Sequence, residues 1–277
     1  MTELSDTVSL HDGRTLPHIG FGTWRLDDDS GPNAVSTAID LGYRFLDTAE
    51  LYRNEEAVRE GVEESGHTRG DVIIQSKVWN NHQGYDATRQ ALEASLERLG
   101  TDYLDLYLIH WPAPQQDLYV DTWKSMLKAQ DEGLIRSIGV SNFLPQHIER
   151  LVRETGQTPA VNQIELHPYF NQADLRSWHA EAGIPIQCWG PLGHRSGNLF
   201  EEKTLTSIAA EHGKTPAQIV LRWHLQHGLL PIPKSQNPDR IRQNLELFDF
   251  ALNDAEMTAI DRLDTGKRQG DDPATFG

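Results

Sequence analysis

Asp47, Tyr52, Lys77 and His110 are a carboxylate, a phenol, an ammonium and an imidazole, each at or just past the end of a short apolar run. Phe45-Leu46 leads into Asp47, with Tyr52 soon after; Val72-Ile73-Ile74 leads to Lys77; Leu104 to Ile109 ends at His110. Groups carried on the C-terminal ends of separate strands meet at one mouth in a parallel β/α barrel. Taken singly they read as ordinary structure: an Asp47–Lys77 ion pair, a packing tyrosine, a strand-end histidine before Trp111-Pro112. Taken together they make a proton-transfer set. A neutral phenol, with an ordinary pKa of about 10, is a slow acid at neutral pH. An ammonium beside it favours the phenolate and lowers that pKa, and a carboxylate holds the ammonium in place. Each unit of such a shift is worth about 1.4 kcal/mol between protonation states. Lys77 and Asp47 are therefore expected to tune Tyr52 downward while His110 orients a substrate oxygen. These are the parts needed to protonate an oxygen as its carbon receives a hydride.

The elements that must carry these residues alternate along the chain. Val8 to Leu10, His11-Asp12-Gly13 and Arg14 to Leu16 read as a short hairpin with a Gly-bearing loop. Strand-like runs follow near 19–23, 44–47, 72–77, 104–110, 135–140, 160–164, 185–189 and 229–233, separated by stretches of helical period such as 86–99 and 119–132. Thr215-Pro216-Ala217-Gln218 is a capping box with proline at the first helical position, opening a helix through Leu225. Asn237-Pro238-Asp239 and Asn253 to Glu256 open two more. Crossovers too long for hairpins imply a parallel sheet, and eight units close into a barrel. The fold expected is α/β, a (β/α)8 TIM barrel with a short N-terminal β-hairpin, as one domain over residues 1–277. The polar, Gly-rich segment near 190–201 reads as a flap, and the aperiodic tail from Gly266 as a segment lying across the surface.

Composition narrows the class. With 38% apolar and 8% aromatic residues the 277-residue chain can build a sizeable core. A net charge of −16 argues against a nucleic-acid surface. Cys188 is the single cysteine, so no internal disulfide forms. No secretory signal and no membrane-spanning apolar run is visible, so a cytoplasmic protein with no membrane or nucleic-acid partner is expected. A monomer is expected.

The motifs carry a resemblance. Gly42-Tyr-Arg-Phe-Leu-Asp47-Thr-Ala, with Tyr52 and Asn54-Glu55 following, strongly resembles the aldo-keto reductase signature. Leu106 to Pro112, Ile138-Gly-Val-Ser-Asn142-Phe, Asn162-Gln163-Ile-Glu-Leu-His167-Pro and Ile232-Pro-Lys234-Ser235 match further family blocks. The likeness spans about 8–265 and is closest to the bacterial 2,5-diketo-gluconate reductase-like branch. It implies an NADPH-dependent carbonyl reductase, with Tyr52 as general acid, Lys77 and Asp47 as its tuners and His110 as the orienting group. Two positions depart from the pattern: Arg59 stands where glycine is usual, and Arg53 replaces a small residue after the tyrosine. Arg53 beside the mouth is expected to favour anionic or polyhydroxyl substrates.

The cofactor reading rests on both residues and resemblance. No complete Gly-x-Gly-x-x-Gly follows a strand, so a Rossmann pyrophosphate turn is unsupported. Lys234-Ser235-Gln-Asn237-Pro-Asp-Arg240 instead ends the last strand and opens a helix, where barrels hold phosphate. Two cations there suit the extra phosphate of NADP. The resemblance adds Ser235 and Asn244 to Lys234 and Arg240 as adenosine-phosphate contacts. Ser141, Asn142 and Gln163 end two strands with groups that can bind a carboxamide, and the resembled family holds the nicotinamide amide there. Trp189 ends another strand and offers an aromatic face for the nicotinamide ring. Trp24, Trp79 and Trp111 follow three strands and are expected to wall a hydrophobic substrate cleft, with Leu51, Tyr52, Asn80 and Phe143 as weaker candidates. The short tail is expected to leave that cleft open.

Other signals carry less. His224-x-x-His227 lacks a third ligand, Glu165 and His167 have no His-x-His partner, and no metal is expected. Cys188 reads as a small buried residue, and Glu60, Glu63 and Glu64 as a solvated helix face. Two other function classes stay open at this point: a nicotinamide-nucleotide-sensing accessory subunit with slow turnover, and a metal-dependent barrel hydrolase.

Overall fold

Short β-rich runs capped by polar loops, each followed by an amphipathic helix, fold as alternating β and α units. The computed structural model describes residues 7–193 and 199–277. An antiparallel hairpin, β1 (Thr7–Ser9) with β2 (Thr15–Pro17), precedes eight parallel strands. These are β3 (Phe21–Gly22), β4 (Phe45–Asp47), β5 (Ile73–Val78), β6 (Leu104–Ile109), β7 (Ile135–Ser141), β8 (Asn162–Glu165), β9 (Ile186–Trp189) and β10 (Leu230–Pro231), hydrogen-bonded in that order. The expected (β/α)8 barrel with its hairpin is the fold observed.

The barrel closes at its two shortest strands. Gly20 and Gly22 donate their amides to the carbonyls of Pro231 and Pro233 at 3.1 and 3.0 Å. Proline has no amide to return, so the seam carries half the bonds of a regular ladder. That shortage cuts the runs expected near 19–23 and 229–233 to two residues each. Gly20 also lies against Phe45, whose ring would stand 2.7 Å from a Cβ there, so only glycine lets this seam close over Phe45.

Helices α1 (Gly31–Leu41), α2 (Glu55–Glu64), α3 (Tyr85–Leu99), α4 (Tyr119–Asp131), α5 (Pro145–Thr155), α6 (Ala173–Ala182), α7 (Lys203–His212), α8 (Pro216–Gln226), α9 (Pro238–Gln243) and α10 (Asp254–Asp261) surround the strands. The expected caps form: Thr215 and Gln218 exchange bonds at α8, Asn253 and Glu256 at α10, and Asn237 accepts from the Arg240 amide at α9. Large side chains such as Trp123, Trp223 and Tyr107 are buried in the core these elements form. Leu10 and Leu16 of the hairpin segment cluster with Leu106, Val161 and Leu230, plugging the end opposite the strand C-termini.

Candidate active site

The strands bring the four chemistry-bearing residues together. Lys77 near the end of β5 is wholly buried, and Asp47 at the end of β4 is 4% exposed. The Lys77 ammonium has three protons and meets three acceptors: Asp47 Oδ1 at 2.7 Å, the Thr48 carbonyl at 2.9 Å and the Tyr52 hydroxyl at 3.3 Å. Tyr52 reaches this point from the short 3-10 turn Glu50–Tyr52. Because its oxygen accepts from Lys77, its own O–H proton is left for a ligand. His110 follows β6, with its ring centroid 5.8 Å from that of Tyr52.

The electrostatics differ from the sequence expectation. Burial, and then the Asp47 charge, push the Tyr52 hydroxyl well above the ordinary phenol value, not below it. The ammonium expected to lower it is committed to Asp47 and the Thr48 carbonyl, and burial lowers its own pKa against the opposing pull of Asp47. Tyr52 is therefore a protonated phenol across the neutral range. Burial, with Lys77 adding to it, holds His110 well below the ordinary imidazole value, so its ring is neutral. The His110 Nδ1 is buried with no hydrogen-bond partner among the described residues.

A polar layer inside the barrel, absent from the sequence reading, fixes Asp47. Gln75 on β5 and Gln163 on β8 both donate to Asp47 Oδ1, Gln163 at 2.9 Å. Gln163 also donates to Gln187 on β9 at 3.0 Å, and Gln187 donates back to Gln75 Oε1 at 2.9 Å. All three glutamines are buried, and a connected network of this kind holds its members in one geometry. In sequence Gln75 and Gln187 are polar interruptions of apolar strands; alternation toward the barrel interior was the available signal.

The set opens onto a cavity of about 460 Å³, within the range of small-molecule pockets. Trp24, Trp79 and Trp111 all line it, as expected, and so does Leu51. Trp24 lies 4.8 Å from Tyr52 and Trp79 lies 5.0 Å from His110, centroid to centroid. The expectation of an open cleft is corrected: the tail supplies a wall. Phe276 packs on Trp111 at 4.7 Å and on Trp79 at 6.2 Å, and Gly270 and Asp271 line the cavity as well. Phe143 is also corrected, since it is fully buried against Tyr119 and His147 and belongs to the core. Asn80 is buried and is not among the lining residues. Arg53 is exposed and does not line the cavity; the arginine that does is Arg25, which sequence reasoning missed.

The residues expected at the cofactor divide into two groups. Asn142, Gln163, Trp189 and Lys234 line the cavity. The Trp189 indole donates to Asn142 Oδ1 at 2.7 Å, which fixes the ring edge. Asn142 Nδ2 donates to the His110 carbonyl and to Ser141 Oγ, both at 3.0 Å. With both Gln163 amide protons engaged, its Oε1 remains an unused acceptor among the described residues. Ser141 is buried, donates to the Gln163 carbonyl at 2.9 Å and does not line the cavity. Ser235, Arg240 and Asn244 also lie outside the lining, at the start and end of α9. Arg240 is exposed and forms no ion pair among the described residues, whereas Arg242 pairs with Asp239. A flat indole, an amide acceptor and a lysine along one cavity are a donor set that fits a nicotinamide nucleotide. Of the expected flap, Gly190 to Gly193 line the cavity, Leu199 is buried, and 194–198 lie outside the described residues.

The discounted signals have structural roles. His224 is buried with its ring nitrogens against the Val220 and Leu166 carbonyls, and His227 pairs with Asp261. Cys188 is buried, which pushes its thiol pKa upward. Arg59 packs its chain against Gly100 and faces Glu60 and Glu63.

A parallel barrel with a buried lysine shared between an aspartate and a tyrosine at its mouth defines a class of proton-transferring barrel enzymes. The aldo/keto reductase family model matches residues 18–265, and the chain belongs to that family of oxidoreductases. It is 50% identical over 273 residues to an aldo-keto reductase of Mycolicibacterium smegmatis, covering 99% of this chain and 98% of that one. It is 45% identical over 270 residues to the methylglyoxal reductase DkgA of Escherichia coli, covering 98% of both chains. Among solved structures it resembles a mutant of Gox0644 in complex with NADPH, at a TM-score of 0.93, 45% identity and 98% coverage of both chains.

Proposed function

We propose that this protein, as a single barrel domain, reduces aldehydes and ketones to alcohols with NADPH, Tyr52 donating the proton. The carrying observation is the Lys77 ammonium bonded at once to Asp47, the Thr48 carbonyl and the Tyr52 hydroxyl, beside His110 at the cavity. The similarity to an NADPH-complexed structure and to a methylglyoxal reductase supports the cofactor and the substrate class, small carbonyls, dicarbonyls or keto-sugars. When bound, NADPH supplies the hydride. Gln163, Asn142 and Trp189 would hold its nicotinamide, and Lys234, Ser235, Arg240 and Asn244 its adenosine phosphate.

Tyr52 and His110 bracket the carbonyl oxygen. The neutral His110 ring donates a hydrogen bond that orients it. As charge grows on that oxygen, the Tyr52 O–H gives up its proton, a favourable transfer because an alkoxide is a far stronger base than a phenolate. The phenolate left behind keeps its bond to Lys77, and Asp47 favours the charged form of that ammonium. A general acid so placed contributes roughly 10²–10⁴ in rate. The aromatic walls exclude water and hold the apolar part of the substrate. The intact set argues against a sensing subunit, which needs no proton donor.

The test is consumption of NADPH and of NADH by the purified protein across aldehydes, α-keto compounds and keto-sugars. Carbonyl-dependent NADPH oxidation, with NADH used poorly, is expected. No turnover with any of them, despite nucleotide binding, contradicts the proposal.

A further inference from the structure

The tail from Arg262 to Gly277 contains no helix or strand, yet it walls the cavity, so point contacts must hold it. One such contact is buried. The Glu165 carboxylate, at the end of β8 and fully inaccessible, accepts the backbone amide of Gln269 at 2.6 Å and that of Gly270 at 2.9 Å. His167 Nε2 lies 3.1 Å from the same carboxylate. Burial opposes the charged form, but His167 and the two tail amides outweigh it and hold the group below the usual carboxylate range. Hydrogen bonds to a buried anion are among the stronger ones a chain makes.

The latch and the wall are few residues apart. Past Gly270 the chain turns at Asp272, whose carbonyl accepts the amides of Thr275 and Phe276 at 3.0 and 2.9 Å. That turn sets the Phe276 ring on Trp111 and Trp79. Another polar contact near the ring, Gln115 Nε2 to the Thr275 carbonyl, is exposed and 3.3 Å long. Gly270 lies so close to the Trp189 indole that a Cβ would stand 2.5 Å from it and 3.1 Å from Glu165 Oε2. The carboxylate can reach both amides only with the backbone pressed flat on that ring, a fit that requires glycine.

We infer that Glu165 is a positioning residue for carbonyl specificity, which fastens the tail so that Phe276 completes the substrate pocket. The inference rests on the carbonyl-reductase reading for its kinetic consequence, though the latch itself does not. A substrate large enough to touch Phe276 depends on the latch; a short aliphatic one depends on it less.

The test compares the parent, Glu165→Gln, Phe276→Ala and the double variant, with an aromatic and a short aliphatic aldehyde and saturating NADPH. Glutamine keeps the shape but loses the anion and leaves at least one tail amide without its acceptor. Each single variant is expected to raise KM for the aromatic aldehyde about tenfold, and proportionately more than for the aliphatic one, with a smaller change in kcat. The double variant is expected to match the worse single one, because Glu165 acts through Phe276. Multiplying effects, or equal losses on both aldehydes, overturn the inference. Gly270→Ala leaves the carboxylate in place and pushes the tail off from outside, so it covers a Glu165 variant that fails to fold. The same KM pattern is expected from it, and an unchanged KM ratio counts against the latch. Hydrogen exchange separates the two readings: 269–276 should exchange faster in Glu165→Gln than in the parent. Unchanged protection there rejects the latch, whereas a parent without reductase activity rejects only the carbonyl reading.

Discussion

Replacing Lys77 with methionine puts an apolar chain of similar length where a fully buried ammonium now stands. The carboxylate of Asp47 is not orphaned, because Gln75 and Gln163 still donate to it. The stability loss should thus fall near the lower end for a broken buried pair, about 3 kcal/mol, or roughly 5–10 °C in Tm. The catalytic loss is larger. The Lys77 Nζ lies 3.3 Å from the Tyr52 oxygen, the atom on which charge appears in the proposed mechanism as the proton leaves. At that separation and an effective dielectric of about 20, the attraction is about 5 kcal/mol. Even half of it, about 2.5 kcal/mol, is roughly seventyfold in rate. The Asp47 charge, which already raises the Tyr52 pKa, then acts with no cation to offset it. Lys77→Met is therefore expected to lower kcat for carbonyl reduction by roughly 10²–10⁴. The assay is NADPH consumption under saturating substrate, with NADPH affinity followed by quenching of tryptophan fluorescence and folding by thermal melting. A folded variant within tenfold of the parent kcat refutes the argument that the ammonium stabilises the departing charge.

Other outcomes follow from the same geometry. Arg240→Ala should raise KM for NADPH roughly 10–100-fold, the worth of a charge-assisted hydrogen bond, and leave NADH nearly unaffected; equal changes for both nucleotides contradict a phosphate contact. In the proposed mechanism run in reverse, alcohol oxidation needs the Tyr52 phenolate, and burial keeps that hydroxyl protonated well past the ordinary value. Its rate should rise about tenfold per pH unit through the neutral range, and a flat profile contradicts the assignment. Burial lowers the pKa of His224 to about 4. The unfolded chain, with an imidazole near 6.5, binds the proton first as pH falls, so this contribution is complete above that value and lost toward pH 4. The loss is about 3 kcal/mol, and His224→Gln should flatten the fall of Tm over this window.

The placement of Asp47, Lys77 and His110 was legible because a strand end is marked locally, by an apolar run followed by a polar residue. Trp24, Trp79 and Trp111 were legible for the same reason. What escaped depends on contacts far apart in the chain. The fall of the tail across the mouth is set by Glu165 and by Trp79 and Trp111, over a hundred positions earlier, and an aperiodic segment carries no trace of such partners. The glutamine layer at Gln75, Gln163 and Gln187 needs three strands to exist at all. The direction of the Tyr52 shift was misread because proximity to lysine was visible in the motif, whereas burial and the prior commitment of that lysine to Asp47 were not. The two-residue strands β3 and β10 were overextended because the prolines that interrupt their pairing look, in sequence, like ordinary strand-end residues.

Hydride transfer in a single turnover, with Tyr52→Phe preloaded with NADPH and mixed with an aldehyde, probes the proton donor most directly. Phenylalanine removes one hydroxyl whose bond to Lys77 is 3.3 Å long, so the fold and nucleotide affinity should persist. A loss of about 10²-fold or more in the transfer rate, with NADPH still bound, is the result expected. A transfer rate equal to that of the parent would place the proton elsewhere.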